Sequence, residues 1–290
     1  MLTANEPWKE GDLIKNPSTQ QFVTYSEAMD AFLGTIKTLN YRDMYMMYAA
    51  GGNTMHISGA PLPEDKMEIT VKGGGEWSPM PCLLQQATTI TEAFAGYYDN
   101  ATPGDMVKAH NRFAVFSPDR KWVGDLTAFR PGEGYFFKRL AESDVTIKFY
   151  SKAANAPQRA PKFNGKAATN MTMICKVEGV NELMNEGVKA FSGDELVGIA
   201  TPIELNNETL YFLTVSSDLA DELRFETEDG TPLRAEQPIR YTSDAHHGSL
   251  KAPIILKPGE TSRPYKIIED QHVVIIKNGE KYDIDGKKLQ

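Results

Sequence analysis

Two cysteines, Cys82 and Cys175, are too few in 290 residues to staple a fold, so this chain has to hold itself together by burying apolar surface. Cys175 shares one strand face with Met171, Met173 and Val177, which makes it a small buried hydrophobe. A Cys82–Cys175 bridge would have to cross a domain boundary. No run approaches the roughly 18 uninterrupted apolar residues that a membrane helix needs. Positive charge is also scarce: 31 Lys and Arg face 39 Asp and Glu, for a net charge of -8 and a pI of about 5.3. That balance argues against a phosphate-backbone partner, because nucleic-acid binding relies on clustered Lys and Arg, and the only basic stretch lies near residue 160. The segment from Met1 to Trp8 lacks the basic leader and apolar run of a signal peptide. No nucleophile elbow, P-loop, dinucleotide fingerprint or zincin motif occurs anywhere.

What is present is a statement made twice, about ninety residues apart. Gly11-Asp12-Leu13-Ile14-Lys15 returns as Gly104-Asp105-Met106-Val107-Lys108, and Phe22-Val23-Thr24-Tyr25-Ser26 as Phe113-Ala114-Val115-Phe116-Ser117. Phe32-Leu33-Gly34 then aligns with Trp122-Val123-Gly124, Tyr45-Met46-Met47 with Tyr135-Phe136-Phe137, and Met55-His56-Ile57 with Val145-Thr146-Ile147. A duplication over a whole unit speaks of architecture before chemistry, and favours a scaffold or binding module over an enzyme. The copies keep apolar strand positions and the Gly-Asp turn while changing most polar positions. Any binding role is therefore expected in residues where they differ.

Short strands broken by Gly, Pro, Asn and Asp predict a mainly β chain. The second copy reads as strands at Asp105 to Lys108, Arg112 to Phe116, Trp122 to Phe129, Tyr135 to Lys138 and Val145 to Tyr150. Pro131-Gly132 supplies the φ values of a type II turn, whereas Asn40-Tyr41-Arg42-Asp43 at that place in the first copy demands another type. Thr89 to Tyr98 is the best helix candidate, capped by Thr89 or Thr91, with Ile90, Phe94 and Tyr97 at helical spacing. The first copy has neither a Trp strand nor this helix ahead of its Gly-Asp, which suggests that the chain starts inside a repeat. Such a repeat should leave a sheet edge or apolar face uncovered.

The resulting division is an incomplete first β-rich repeat at 1–59, a complete second at 60–150, a linker at 151–169, an immunoglobulin-like antiparallel sandwich at 170–258 and a hairpin tail at 259–290. The linker is rich in Ala, Pro, Lys, Arg and Gln. Strands are expected in the sandwich at Met171 to Val177, Val188 to Phe191, Leu196 to Ala200, Thr209 to Val215, Glu222 to Thr227 and Ile239 to Thr242. In the tail, His272 to Lys277 meets Glu280 to Ile284 across Asn278-Gly279, with a second turn at Asp285-Gly286.

Trp77, Gly104 to Lys108, Phe113-Ala114, Trp122 to Leu126 and Pro131 to Tyr135 together resemble a β-rich module of secreted and cell-surface Bacteroidetes proteins. Its members carry "GWNWI", "GDxIK", "FAxY", "WxGxL" and "PGxGY". The likeness covers Trp77 to Tyr150 well and Gly11 to Gly59 less well. The tail from Val274 to Leu289 is similar to C-terminal sorting signals of exported proteins in that group. The resemblance implies export and an envelope location, and it supplies no catalytic residue and no cofactor. It implies a non-catalytic module acting in adhesion, ligand binding or spacing, with an unknown protein or glycan as partner. The alternative is an accessory region of a secreted hydrolase whose catalytic domain lies upstream.

No residue is assigned a catalytic, cofactor-binding or metal role. Asp12 and Asp105 are the tempting acids, and a turn-forming Gly-Asp explains both. Adjacent His246 and His247 point to opposite faces of an extended segment, so an exposed loop is favoured over a metal site. Gly73-Gly74-Gly75 lacks the Lys and helix of an anion loop, and Asp283 with Asp285 fits a hairpin end better than a calcium loop. His56, His110 and His272 are isolated in or beside strands. Trp77 and Trp122 read as core residues, while Trp8 and Tyr97-Tyr98 are the better candidates for a surface platform.

Overall fold

A computed structural model describes residues 2–4, 6–49, 55–57, 59–119, 121–151, 169–179, 187–259, 265–269, 272–277, 280–283 and 287. The chain is mainly β and divides into two units, Met1–Ala160 and Pro161–Gln290.

In the first unit, the first copy of the repeat forms β1 (Leu2–Ala4), β2 (Leu13–Lys15), β3 (Phe22–Ser26), β4 (Ala31–Gly34), β5 (Met46–Tyr48) and β6 (Met55–Ile57). The second copy forms β7 (Glu68–Val71), β8 (Trp77–Pro81), β9 (Thr88–Thr89), helix α1 (Ile90–Ala93) and β10 (Met106–Lys108). It continues with β11 (Phe113–Ser117), β12 (Lys121–Gly124), β13 (Ala128–Phe129), β14 (Gly134–Lys138) and β15 (Val145–Lys148). The first copy builds an antiparallel sheet in the order β4-β3-β2-β5, and the second builds β12-β11-β10-β14-β8. One sheet is the other with a strand added at its end.

The duplication extends to single backbone bonds. Gly11 N–H donates to the Tyr25 carbonyl at 3.2 Å and Gly104 N–H to the Phe116 carbonyl at 3.0 Å. Tyr25 and Phe116 in turn donate to the carbonyls of Asp12 (2.8 Å) and Asp105 (2.7 Å). Both Gly-Asp turns need a positive φ at glycine, +87° at Gly11 and +94° at Gly104. Gly34 and Gly124 recur for a different reason. Each lies so close to the neighbouring strand that a Cβ would collide with the carbonyl oxygen of Phe22 or Phe113.

The starting point of the first copy differs from the expectation. β1 pairs with β6, Leu2 opposite Ile57, in the same way that β7 pairs with β15, Ile69 opposite Ile147. The opening strand of the unit is therefore present. What is missing lies inside, because residues 5–10 connect β1 to its Gly-Asp turn where residues 72–103 carry β8, β9 and α1 in the second copy.

The core of the second copy lies on one face of its sheet. Val107, Ala114, Tyr135, Phe137 and Met80 meet Ile69, Val71 and Ile147 of the β7–β15 ladder, with Ile90, Phe94 and Tyr97 packed among them. The Phe94 ring sits 4.8 Å from Phe129, 5.5 Å from Trp122 and 5.7 Å from Phe137, centroid to centroid. The helix is one turn, shorter than its apolar spacing predicts. Thr89 caps it, Oγ1 accepting from Glu92 N–H at 3.2 Å and donating to Glu92 Oε2 at 2.9 Å. The chain then tightens into turns that carry Tyr97 inward.

The second unit contains β16 (Met171–Val177), β17 (Val188–Ser192), β18 (Glu195–Ala200), β19 (Pro202–Leu205) and β20 (Glu208–Val215). It adds β21 (Leu223–Thr227), β22 (Pro232–Ala235), β23 (His246–His247) and β24 (Ile254–Pro258). They run β18-β17-β21-β22-β24-β16-β20-β19, with β23 beside β16. Ser216 N–H donates to the Val197 carbonyl at 2.8 Å, bringing β18 against the end of β20 and folding the sheet on itself. Met171, Met173, Cys175, Tyr211, Leu213, Val215 and Phe225 fill the interior. Two pairings, β16 with β23 and with β24, are parallel in an otherwise antiparallel sheet. Sequence reading missed β19, β22 and β24, and its strand at Ile239 to Thr242 amounts to one bridge between Glu222 and Arg240.

The tail forms a three-stranded sheet of β25 (Tyr265–Glu269), β26 (His272–Lys277) and β27 (Glu280–Tyr282). Lys277 faces Glu280 across the Asn-Gly pair. Residues 152–168 of the expected linker and the Asp285-Gly286 turn lie outside the described residues.

Candidate functional site

The sheet of the first copy presents an apolar face and an open edge. Strand alternation and register place Leu33, Thr24, Leu13 and Tyr48 in one row across it, and Phe22, Lys15 and Met46 in the next. Phe22 is 48% exposed, Leu33 44% and Tyr48 61%. The equivalent rows of the second copy are Val123, Val115, Met106 and Lys138, then Phe113, Lys108 and Phe136. There Phe113, Met106, Val115 and Val123 are all buried. The same kind of surface is thus closed in one copy and open in the other. Large apolar patches are otherwise avoided on folded surfaces, which makes this face the candidate for an interaction surface.

The edge is open for the same reason. β14 is flanked by β10 and β8, whereas its counterpart β5 pairs with β2 alone among the described strands. On the far face of the sheet, Met47 is 39% exposed while its equivalent Phe137 is fully buried. Trp8 partly replaces the missing helix, its ring packed edge-on against Phe32 at 5.0 Å, as Phe94 packs on Trp122. Trp8 is half-buried and Tyr97 fully buried, so neither is the open platform expected of them. Trp77 does carry a cation: Lys108 Nζ lies 4.4 Å from its ring centroid and 5.7 Å from that of Phe136.

Asp105 is fully buried and serves the fold. Its Oδ1 accepts from Leu140 N–H at 2.8 Å, and its Oδ2 from Thr102 N–H at 2.7 Å and from the Tyr97 hydroxyl at 2.5 Å. Buried Arg139 donates to the same hydroxyl at 2.9 Å and to the Asn100 and Ser143 carbonyls. Burial first, then the Asp105 carboxylate, hold the Tyr97 hydroxyl well above the usual phenol range. Asp12 plays the local part of this role, accepting from Lys9 N–H at 3.0 Å. Both acids bond the backbone three residues upstream, as a Gly-Asp turn requires.

A second polar device recurs that sequence reading missed. The Tyr45 hydroxyl accepts from Asn40 N–H at 2.9 Å and faces Asp43 Oδ2 at 3.4 Å. The Tyr135 hydroxyl accepts from Arg130 N–H at 2.9 Å and donates to Glu133 Oε2 at 2.6 Å. The turns differ in type as expected, Gly132 having φ +83° while none of Asn40 to Asp43 has a positive φ, yet both keep an acid two residues before the tyrosine. Arg112 Nη2 stands 3.6 Å from Glu133, and the adjacent Asp125 carboxyl is pushed up to about 7 by burial.

The remaining candidates separate. All three N–H groups of Gly73-Gly74-Gly75 are taken, by Asp144 Oδ1 and by the Ala141 and Arg139 carbonyls, so the segment is a bonded connection and no anion cradle. His246 and His247 are not on an exposed loop. They form β23, half-buried against β16, with His246 Nδ1 2.9 Å from Thr172 Oγ1. Thr172 N–H also donates to the Ala245 carbonyl at 3.0 Å, which holds the residue ahead of the pair against β16. His110 is exposed after β10, and His56 and His272 lie within β6 and β26. Asp283 Oδ1 accepts from Lys287 N–H at 2.8 Å, while Asp285 lies outside the described residues. Both cysteines are free, Cys175 buried and Cys82 half-buried, and burial pushes the Cys82 thiol up to about 11. In the second unit a cleft of about 710 Å³ opens beside β21, lined by charges of both signs from Asp194, Glu222, Arg224, Arg234 and Glu236. Among the described residues no group of three His, Cys, Asp or Glu is placed to hold a metal ion, and no helix is long and apolar enough to cross a membrane.

Set beside known proteins, the chain matches no family model, no curated protein and no solved structure.

Proposed function

We propose that this chain is a non-catalytic module of an exported or cell-surface bacterial protein, acting in adhesion or ligand binding through contact with another polypeptide. The observation that carries the reading is the open apolar face of the first sheet, Phe22, Leu33 and Tyr48, whose equivalents in the second copy are buried or paired. An apolar face of aliphatic and aromatic side chains around Thr24 and Lys15 suits a protein surface better than a sugar, which needs more polar groups around its ring platform. The buried acids support it as well, because Asp12 and Asp105 are committed to backbone N–H groups.

Two measurements test the proposal. Intact cells making the protein are treated with a protease, and loss of the chain from whole cells places it on the surface, whereas full protection removes the cell-surface reading. The purified chain is then offered glycan and peptide substrates. Turnover that disappears on Asp125→Asn or Glu133→Gln would establish an enzyme and end the non-catalytic account.

A further inference from the structure

The second copy of the repeat shows what fits the open edge of the first. There β14 pairs with β8 on its outer side, Lys138 opposite Trp77, Phe137 opposite Ser78, Phe136 opposite Pro79 and Tyr135 opposite Met80. The residues at those places in the first copy are Tyr48, Met47, Met46 and Tyr45, and among the described strands β5 pairs with β2 alone. An edge strand with unpaired N–H and C=O groups is a template for another strand unless something blocks it. β5 contains no charge, no proline and no bulge, so within the strand only its three-residue length limits pairing. Both faces beside the edge are apolar and partly open, with Tyr48 and Met46 on one side and Met47 on the other.

We propose that the outer edge of β5 is a strand-addition site that takes an extended segment of a partner polypeptide built like β8. Main-chain pairing supplies the affinity and alternate side chains the selectivity, as in other cases of strand addition to a sheet edge. The segment carries an aromatic residue opposite Tyr48, a small one opposite Met47 and apolar ones opposite Met46 and Tyr45. Its aromatic side chain lies on the face of Lys15, as Trp77 lies beneath Lys108. Its next but two residue covers the opposite face, as Met80, fully buried, covers the core beside Tyr135 and Phe137. The proposal rests on the reading of the chain as a protein-binding module and gives that module its site.

The probe is a labelled synthetic peptide with the sequence of residues 75–81, Gly-Glu-Trp-Ser-Pro-Met-Pro, titrated against the full chain and read by fluorescence anisotropy. Saturable binding is expected, with slowed exchange confined to the outward-pointing amides of Met46 to Tyr48 and a scrambled peptide inert. Met47→Asp and Tyr48→Asp, at partly exposed positions that leave the circular dichroism spectrum unchanged, should each weaken binding about tenfold. Absence of saturation up to about 1 mM, or equal binding by both variants, would overturn the site. So would a chain that sediments as a dimer with Met46 to Tyr48 already protected, because the edge would then belong to a second copy. The protease test on cells does not involve this edge. A negative peptide result beside a positive surface result removes the site and leaves the broader reading standing.

Discussion

Replacing Asp105 by Asn isolates how much of the second copy rests on one buried acid. The carboxylate has donors on both oxygens, Leu140 N–H on one and Thr102 N–H with the Tyr97 hydroxyl on the other. An amide offers one acceptor and one donor, so either orientation aims an NH2 group at a backbone N–H. One buried donor is left unpaired, which costs about 1–3 kcal/mol, and the charge assistance near Arg139 is lost, about 1 kcal/mol more. The sum is about 3 kcal/mol. All three tryptophans, Trp8, Trp77 and Trp122, fall in Met1–Ala160, so tryptophan fluorescence in urea reports that unit alone. With a denaturant slope of about 2 kcal/mol per molar, Asp105→Asn should lower the urea midpoint by about 1.5 M. Tyr97→Phe, which leaves both backbone donors satisfied, should lower it by about 0.5 M, and exposed Asp119→Asn hardly at all. A shift below about 0.3 M for Asp105→Asn would refute the assignment of these bonds.

The raised carboxyl of Asp125 predicts a pH dependence of definite sign. Its folded pKa of about 7 lies above the unfolded value of about 4, so the folded state holds the proton more tightly between them. Stability of the first unit should fall as pH rises from 4 toward 7, and Asp125→Asn should flatten that slope in urea titrations at several pH values. A wild-type slope of opposite sign, assigned to this residue by the variant, would contradict the burial argument. The Cys82 thiol, pushed up to about 11, should react with a thiol reagent at pH 8 roughly a hundredfold slower than a free cysteine, and buried Cys175 more slowly still. Native labelling of either at the rate seen in urea would disprove its packing. Gly124→Ala forces a Cβ into the Phe113 carbonyl, while Gly132→Ala meets no atom within 4 Å and bears only the strain of a positive φ. Thermal melts should show the first substitution costing at least twice the roughly 1–2 kcal/mol of the second.

The strand content, the duplication and the sandwich were legible because they rest on alternation and on glycines whose φ or close approach leaves no substitute. The helix was half legible. Thr89 and the spacing of Ile90, Phe94 and Tyr97 marked its cap and inner face, but one turn suffices to deliver Tyr97 to Asp105, and that demand is set by a distant part of the chain. β19 escaped notice because a proline opens it, although Asn206-Asn207, at φ +51° and +64°, was a hairpin signal in plain view. β24 is specified by partners far along the sequence, Ile254 facing Cys175 and Pro258 facing Leu233, while β22 pairs locally with β21 but is four residues long and opens on a proline. The acid that meets Tyr45 or Tyr135 hid behind the change of turn, since Asp and Glu at that position look like unrelated loop residues. The open face could be anticipated from the missing Trp strand. That the omission is internal could not, because only the pairing of β1 with β6 reveals it.

Amide hydrogen exchange on the free chain, comparing β5 with β14, tests the central claim most directly. If the first sheet is the second without its outer strand, the outward-pointing amides of Met46 to Tyr48 should exchange at least about a hundredfold faster than their equivalents in Phe136 to Lys138. Equal protection of the two strands would mean that the edge is already closed, and the account of an open binding edge would fail.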